Sequence, residues 1–183
     1  MLPLAKMPAP AEAVPMRTEG QALVRGDELT LPWNLGEWLA PAKLREWVEE
    51  ENATLDWGNP EVMEFLRQRP GYEPRKLLSL VAFAYLTGNF ESEDIELRCQ
   101  QDSEFKAITG GKWLPRPREI TRFRRENRGL VKWILAQVLK RSLRAHLGDV
   151  PLPAGLKRRL VDAAVSRVEY ARQMDQSHER EDI

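Results

Sequence analysis

The chain has 183 residues, 42% hydrophobic and 31% charged, and its 28 basic and 28 acidic side chains cancel to a net charge of zero. That length and apolar share suit one ordinary core with appendages, and a neutral balance selects no class of partner. Cys99 is the only cysteine, which excludes an internal disulfide and a cysteine-based zinc site.

Residues 1–30 are rich in Pro, Ala and Gly and show no apolar period or secretory-signal run, so they read as a mobile leader. Leu35, Trp38, Leu39, Leu44, Trp47 and Val48 recur at three- and four-residue steps, as on one helix face. Pro41 places the start of that helix at its own first turn. Asp56 to Pro60 breaks the chain, and Val62, Met63, Phe65 and Leu66 predict a short helix before Pro70-Gly71. From Pro74 to Gly88 the chain is apolar nearly all round, which predicts the buried centre of the domain. Its run from Leu77 to Leu86 is shorter than the roughly 20 residues a bilayer requires, so the expectation is a cytoplasmic protein without membrane contact.

Ser92 is placed to cap the next helix, with Glu93 and Asp94 at its positive end and Arg98 toward the other. Asp102 or Ser103 caps a further short helix that closes at Gly110-Gly111. REITRFRREN then reads as a helix with Pro117 in its first turn. A long amphipathic helix follows, carrying Leu130, Val131, Ile134, Leu135, Val138 and Leu139. After a loop from Gly148 to Pro153, Leu160, Ala164, Val168 and Ala171 mark a last helix that fades into a polar tail. Strand-like alternation is absent and no repeat is evident, so the fold class is all-α with helix-turn-helix-like elements. The expected division is a leader over 1–30, a helical domain over 31–147, and a C-terminal helix and tail over 148–183.

Charge is distributed unevenly. From Lys112 to Arg144 there are 11 basic residues against Glu119 and Glu126, a local charge of +9 that leaves −9 for the remainder. Lys and Arg displace counterions from phosphates, so such a segment points to nucleic acid. At about 100° per residue, Ile120, Phe123 and Asn127 share one side of the helix. Arg118, Arg122 and Arg125 fall opposite, flanked by Thr121 and Arg128. An apolar root with outward guanidinium groups is what a major-groove helix needs, and first-turn N–H groups offer a seat for a phosphate. A solvated basic face, or one that meets a protein or RNA, is the competing reading. Trp113 beside Pro115 reads as a lid on the core, with stacking on a base as the other option.

Several pieces together resemble the N-terminal domain of bacterial DDE-type insertion-sequence transposases. They are PRKLLSLVAFAYLTG (74–88), Ser92, Ile95 and Glu96, then Asp102, Phe105, Thr109 and Gly110, and LPRPREITRFRREN (114–127). Leu39, Pro41, Leu44 and Arg45 match the opening positions, and the likeness covers roughly residues 35–140. Glu93, Arg116 and Glu119 depart from the family's usual Arg, Asp and Thr; Glu119 would weaken a phosphate contact that Arg116 would strengthen. The resemblance implies double-stranded DNA as partner, at the ends of a mobile element, with Arg118, Thr121, Arg122 and Arg125 as readers. Lys112, Arg116 and Arg128 complete the expected contact set.

Family catalysis uses three metal-holding carboxylates on an RNase-H-like sheet, and no strand here would carry the first of them. Asp162, Glu169, Asp175, Glu179, Glu181 and Asp182 read as a solvated helix face and tail, and His146 and His178 are isolated. Cys99 reads as a small buried residue rather than a nucleophile. The expectation is therefore no enzyme, no cofactor and no metal. The alternatives are a helical protein-interaction module and a non-functional transposase remnant. The apolar stripe of the last helix would pair with a partner or a second copy, or dock on its own domain.

Overall fold

The computed structural model describes residues 31–58, 73–148 and 154–181. The leader, the helix expected around Val62 to Leu66, and residues 149–153 of the expected loop lie outside the described residues. Among the described residues every regular element is helical. After a 3-10 turn at Leu35–Glu37 come α1 (Pro41–Ala53), α2 (Pro74–Leu86), α3 (Ser92–Gln101), α4 (Ser103–Thr109), α5 (Pro117–Glu126), α6 (Arg128–Leu147) and α7 (Leu156–Glu181). The all-α expectation holds, with one isolated bridge between Asn34 and Thr87 as the extended pairing.

Helix α2 is the axis around which the others are arranged. All ten residues from Leu77 to Leu86 are buried, because α1, α4, α5 and α6 all pack against this helix. A helix apolar on every side finds its free-energy minimum only when enclosed in this way. Pro74 opens α2 in its first turn, where the missing N–H costs nothing. Its C-terminus is closed by Asn89, whose N–H donates to the Ala84 carbonyl at 2.8 Å. Gly88 makes that reversal at φ 78°, and a Cβ there would lie 3.5 Å from the Asn34 side chain. The positive φ favours glycine, while the Asn34 side chain would stand at ordinary contact distance.

Polar side chains fix how the helices cross. Asn52 on α1 is buried, and its Nδ2 donates to the Arg75 carbonyl at 2.8 Å and to Ser79 Oγ at 2.6 Å. Asp102 caps α4 through the N–H groups of Glu104 and Phe105 at 2.8 and 3.3 Å. Gly110 closes the helix in the left-handed conformation, as expected. Ser92 differs from expectation: α3 begins at Ser92 itself, after Glu91, and the Ser92 hydroxyl turns toward Thr121 on α5. A serine already within the first turn has its side chain free for tertiary contact, and burial of Ser92 directs it there.

The apolar stripe of α7 is not left open. Leu160, Ala164, Val168 and Ala171 are all buried, and α7 packs mainly against α6. Of the occupants open to this stripe, the structure shows its own chain. Arg167, from the same stripe, is also buried; its guanidinium donates to the carbonyls of Ala163, Pro32 and Trp33 and lies 5.2 Å from the Trp33 ring centre. Burial pulls the Arg167 pKa down to about 10. Around it Trp33, Phe90 and Tyr170 form edge-on and tilted pairs at 5.0–5.6 Å. The first and last described segments are therefore stapled together.

Leu80, fully enclosed at the middle of α2, sets a test of this packing. Leu80→Ala should cost about 2–5 kcal/mol, the range for a core cavity. Urea unfolding followed by circular dichroism would read that loss.

Candidate nucleic-acid interface

Helix α5 carries two faces of opposite chemistry. Ile120 and Phe123 are fully buried and Asn127 is 1% exposed, so the expected root faces the core. Arg118 and Arg125 are exposed, and Arg122 lies beside them with its Nε 2.9 Å from Glu126 Oε1. Such an exposed i,i+4 pair contributes about 0.3–0.5 kcal/mol, too little to withhold Arg122 from a phosphate. Lys112, Arg116 and Arg128 are exposed as well. Trp113 is partly buried against the core, as a lid would be.

The first turn of α5 is less open to an anion than its sequence implies. Pro117 has no N–H, the Arg116 N–H donates to Glu119 Oε2 at 2.8 Å, and the Glu119 N–H donates to the Arg116 carbonyl at 2.9 Å. Glu119 therefore acts as the helix's own counter-charge. The phosphate seat expected at this N-terminus is occupied by a carboxylate of the same turn. Outward arginines, rather than backbone amides, are what α5 offers.

The inner face holds the largest departure from expectation. Arg124 is only 5% exposed, and Asp175 of α7 takes its guanidinium in a two-pronged pair, through Nε at 3.0 Å and through Nη2. Arg124 Nη1 donates to the Phe90 carbonyl. Thr121 Oγ1 lies 3.2 Å from Ser92 Oγ and 3.5 Å from Asp175 Oδ1, so this expected reader faces the fold's interior polar cluster. Tyr85 closes the cluster, and burial pushes its phenol up to about 12, which keeps it neutral beside the guanidinium. Asp175, expected on a solvated face, is the counter-ion that holds α5 to α7.

Arg141 is also spoken for. It bonds Glu50 at 2.6 Å and Glu51 at 3.1 Å and lies 4.9 Å from the Trp47 ring centre. The +9 of the 112–144 segment therefore overstates its outward charge, since Arg124 and Arg141 serve the fold. Among the described residues no three His, Cys, Asp or Glu side chains gather as a metal site would require. No helix among them is long and apolar enough to cross a membrane.

Helices α1 to α5 form the part of the chain that carries a likeness. Residues 42–126 match the family described as Transposase domain (DUF772). This match supports a transposase-related protein and begins at the second residue of α1 and stops at the last of α5. It leaves out α6 and α7, and with them Asp175. No curated protein and no solved structure gave a match.

Two outcomes follow from this geometry. Asp175→Asn strands a buried cation and should destabilise the protein by about 3–5 kcal/mol in a denaturant melt. The paired change Arg124→Met with Asp175→Leu should recover much of that loss, because it removes both charges. Cys99 is buried and its thiol is pushed up to about 12 by that burial. A thiol-disulfide colour reagent at pH 8 should therefore label it rapidly only after denaturation.

Proposed function

We propose that this chain is a DNA-binding protein of transposase descent, related to the N-terminal domain of DDE-type elements. It recognises double-stranded DNA at the ends of a mobile element and contributes binding rather than chemistry. The observation that carries this reading is the division of α5: Ile120 and Phe123 are sunk in the core while Arg118, Arg122 and Arg125 line the opposite side. Guanidinium groups held on a rigid, rooted helix lose less freedom on binding than groups on a loop. They also match both phosphates and guanine edges in two-pronged geometry. The transposase-domain match over the same helix supports the assignment independently of charge.

Within this reading Arg118, Arg122 and Arg125 are the readers, and Lys112, Arg116 and Arg128 add backbone contacts. Thr121 acts from behind, joining α5 to Ser92 and Asp175. Fluorescence anisotropy with random-sequence duplex DNA across a salt series tests the proposal. Neutralising five or six phosphates gives a log–log slope of roughly −4.5 to −5.5. The triple change Arg118→Ala, Arg122→Ala and Arg125→Ala should abolish salt-sensitive binding while leaving the helical dichroism unchanged. Absence of wild-type binding at low salt would refute DNA as the partner and turn attention to a protein that meets the basic face.

A further inference from the structure

Beside the first turns of α7, the surface between α6 and α7 opens into a groove of about 440 Å³. Leu156 and Leu160, both buried, form its floor, with Ala136 and Val161 at its walls. Lys140 and Lys157 stand exposed at its rim. We propose that this groove receives the outer face of α3 from a second copy of the chain. Leu97 enters between the two lysines, and Glu93 and Asp94 lie against them. The contact joins two different faces and is therefore head-to-tail. It stands apart from the DNA-binding reading.

The groove carries positive charge without compensation. Helix α6 has no acidic residue in its 20 positions, and α7 has none in its first turn. Among the described residues neither Lys140 nor Lys157 has a carboxylate partner. Lys132 and Arg144 are exposed on the same side of α6, within about 120° of one another around the helix.

Helix α3 has the matching chemistry. Asp94, Leu97 and Gln101 follow at three- and four-residue steps on its outer side, and exposed Glu93 adjoins them. Leu97 is 47% exposed. With Asp94, Arg98, Gln101 and Asp102 it lines a shallow depression of about 370 Å³. A lone exposed leucine carries little meaning. One set among acids complements an apolar groove rimmed by lysines. Arg98 lies 4.0 Å from Asp102, whereas Glu93 and Asp94 have no cation partner among the described residues. Helix α3 packs on α4 and α5, and its outer face is exposed, so within one chain it does not meet the groove.

Charge also decides which faces pair. Two grooves brought together would set Lys140 and Lys157 against lysines, and two α3 faces would set acids against acids. Groove against α3 brings opposite charges together around an apolar contact. The whole chain is neutral, so no net repulsion opposes the approach of two copies.

Sedimentation equilibrium of the full chain over a concentration series tests this contact. The wild type should exceed its 21.1 kDa monomer mass as concentration rises, and should grow past the dimer because each end keeps a free face. Added salt should move that growth to higher concentration. Lys140→Gln with Lys157→Gln, and separately Asp94→Lys with Leu97→Lys, should each stay monomeric. All these positions are exposed, so helical dichroism should be unchanged. Mixed in equal amounts, the two variants should form a dimer that grows no further, since one retains only the α3 face and the other only the groove. Association that survives in either variant alone, or a mixture that stays monomeric, overturns the contact. A wild type that remains monomeric throughout also overturns it. If duplex DNA affinity then falls in the lysine variant, the groove belongs to nucleic acid instead.

Discussion

One buried ion pair governs the geometry of the whole basic surface. Arg124 cannot be left unpaired in the core, because an isolated buried charge costs several kcal/mol. Asp175 satisfies it from α7, 51 residues away in sequence, and the Phe90 carbonyl takes the remaining prong. A well-packed apolar pair in the same place would hold the helices at least as firmly. What the ion pair adds is direction: its two parallel bonds allow one rotation of α5 about its axis. That rotation turns Arg118, Arg122 and Arg125 outward.

The same pairing explains how a neutral chain presents a basic face. Acidic side chains are spent internally or beside their own helices: Glu50 and Glu51 on Arg141, Glu119 on its own first turn, Asp175 on Arg124. Each removes a negative charge from reach or spends a positive one on the fold. The segment that carries the ridge of α5 has few acids of its own, Glu119 and Glu126. At physiological salt the screening length is about 8 Å, so a distant acidic face does little to cancel a local cluster of guanidinium groups.

Much of the fold was legible in the sequence because apolar spacing and punctuation agreed. The continuous run of Leu77 to Leu86, the Asp102 cap with its closing Gly110, and the Pro-led starts at Pro41, Pro74 and Pro117 all form where expected. The apolar stripe of α7 was equally clear, though its occupant was not. Arg124 and Asp175 escaped because residue type was weighed above position. Arg124 lies four residues after Ile120, about 40° round the helix from it, and so on the buried side. Asp175 lies four residues after Ala171 and continues the stripe, as Arg167 does within it. A charged residue on an apolar stripe signals a buried partner, and two such stripes in one chain signal each other. Thr121 shows that the surroundings of a flanking helix position are decided by which neighbour packs beside it, here Ser92 and Asp175.

The sequence distance between Arg124 and Asp175 also sets an order of events as the chain is made. At about 5–20 residues per second, the 51 residues between Arg124 and Asp175 take roughly 3–10 s to synthesise. Throughout that interval α2 and α5 exist without their lid, and Arg124 has no settled place in the core. Helix α5 acquires its final orientation only when α7 has emerged as far as Asp175. A nascent chain therefore lacks a fixed ridge of outward arginines until α7 has emerged and closed.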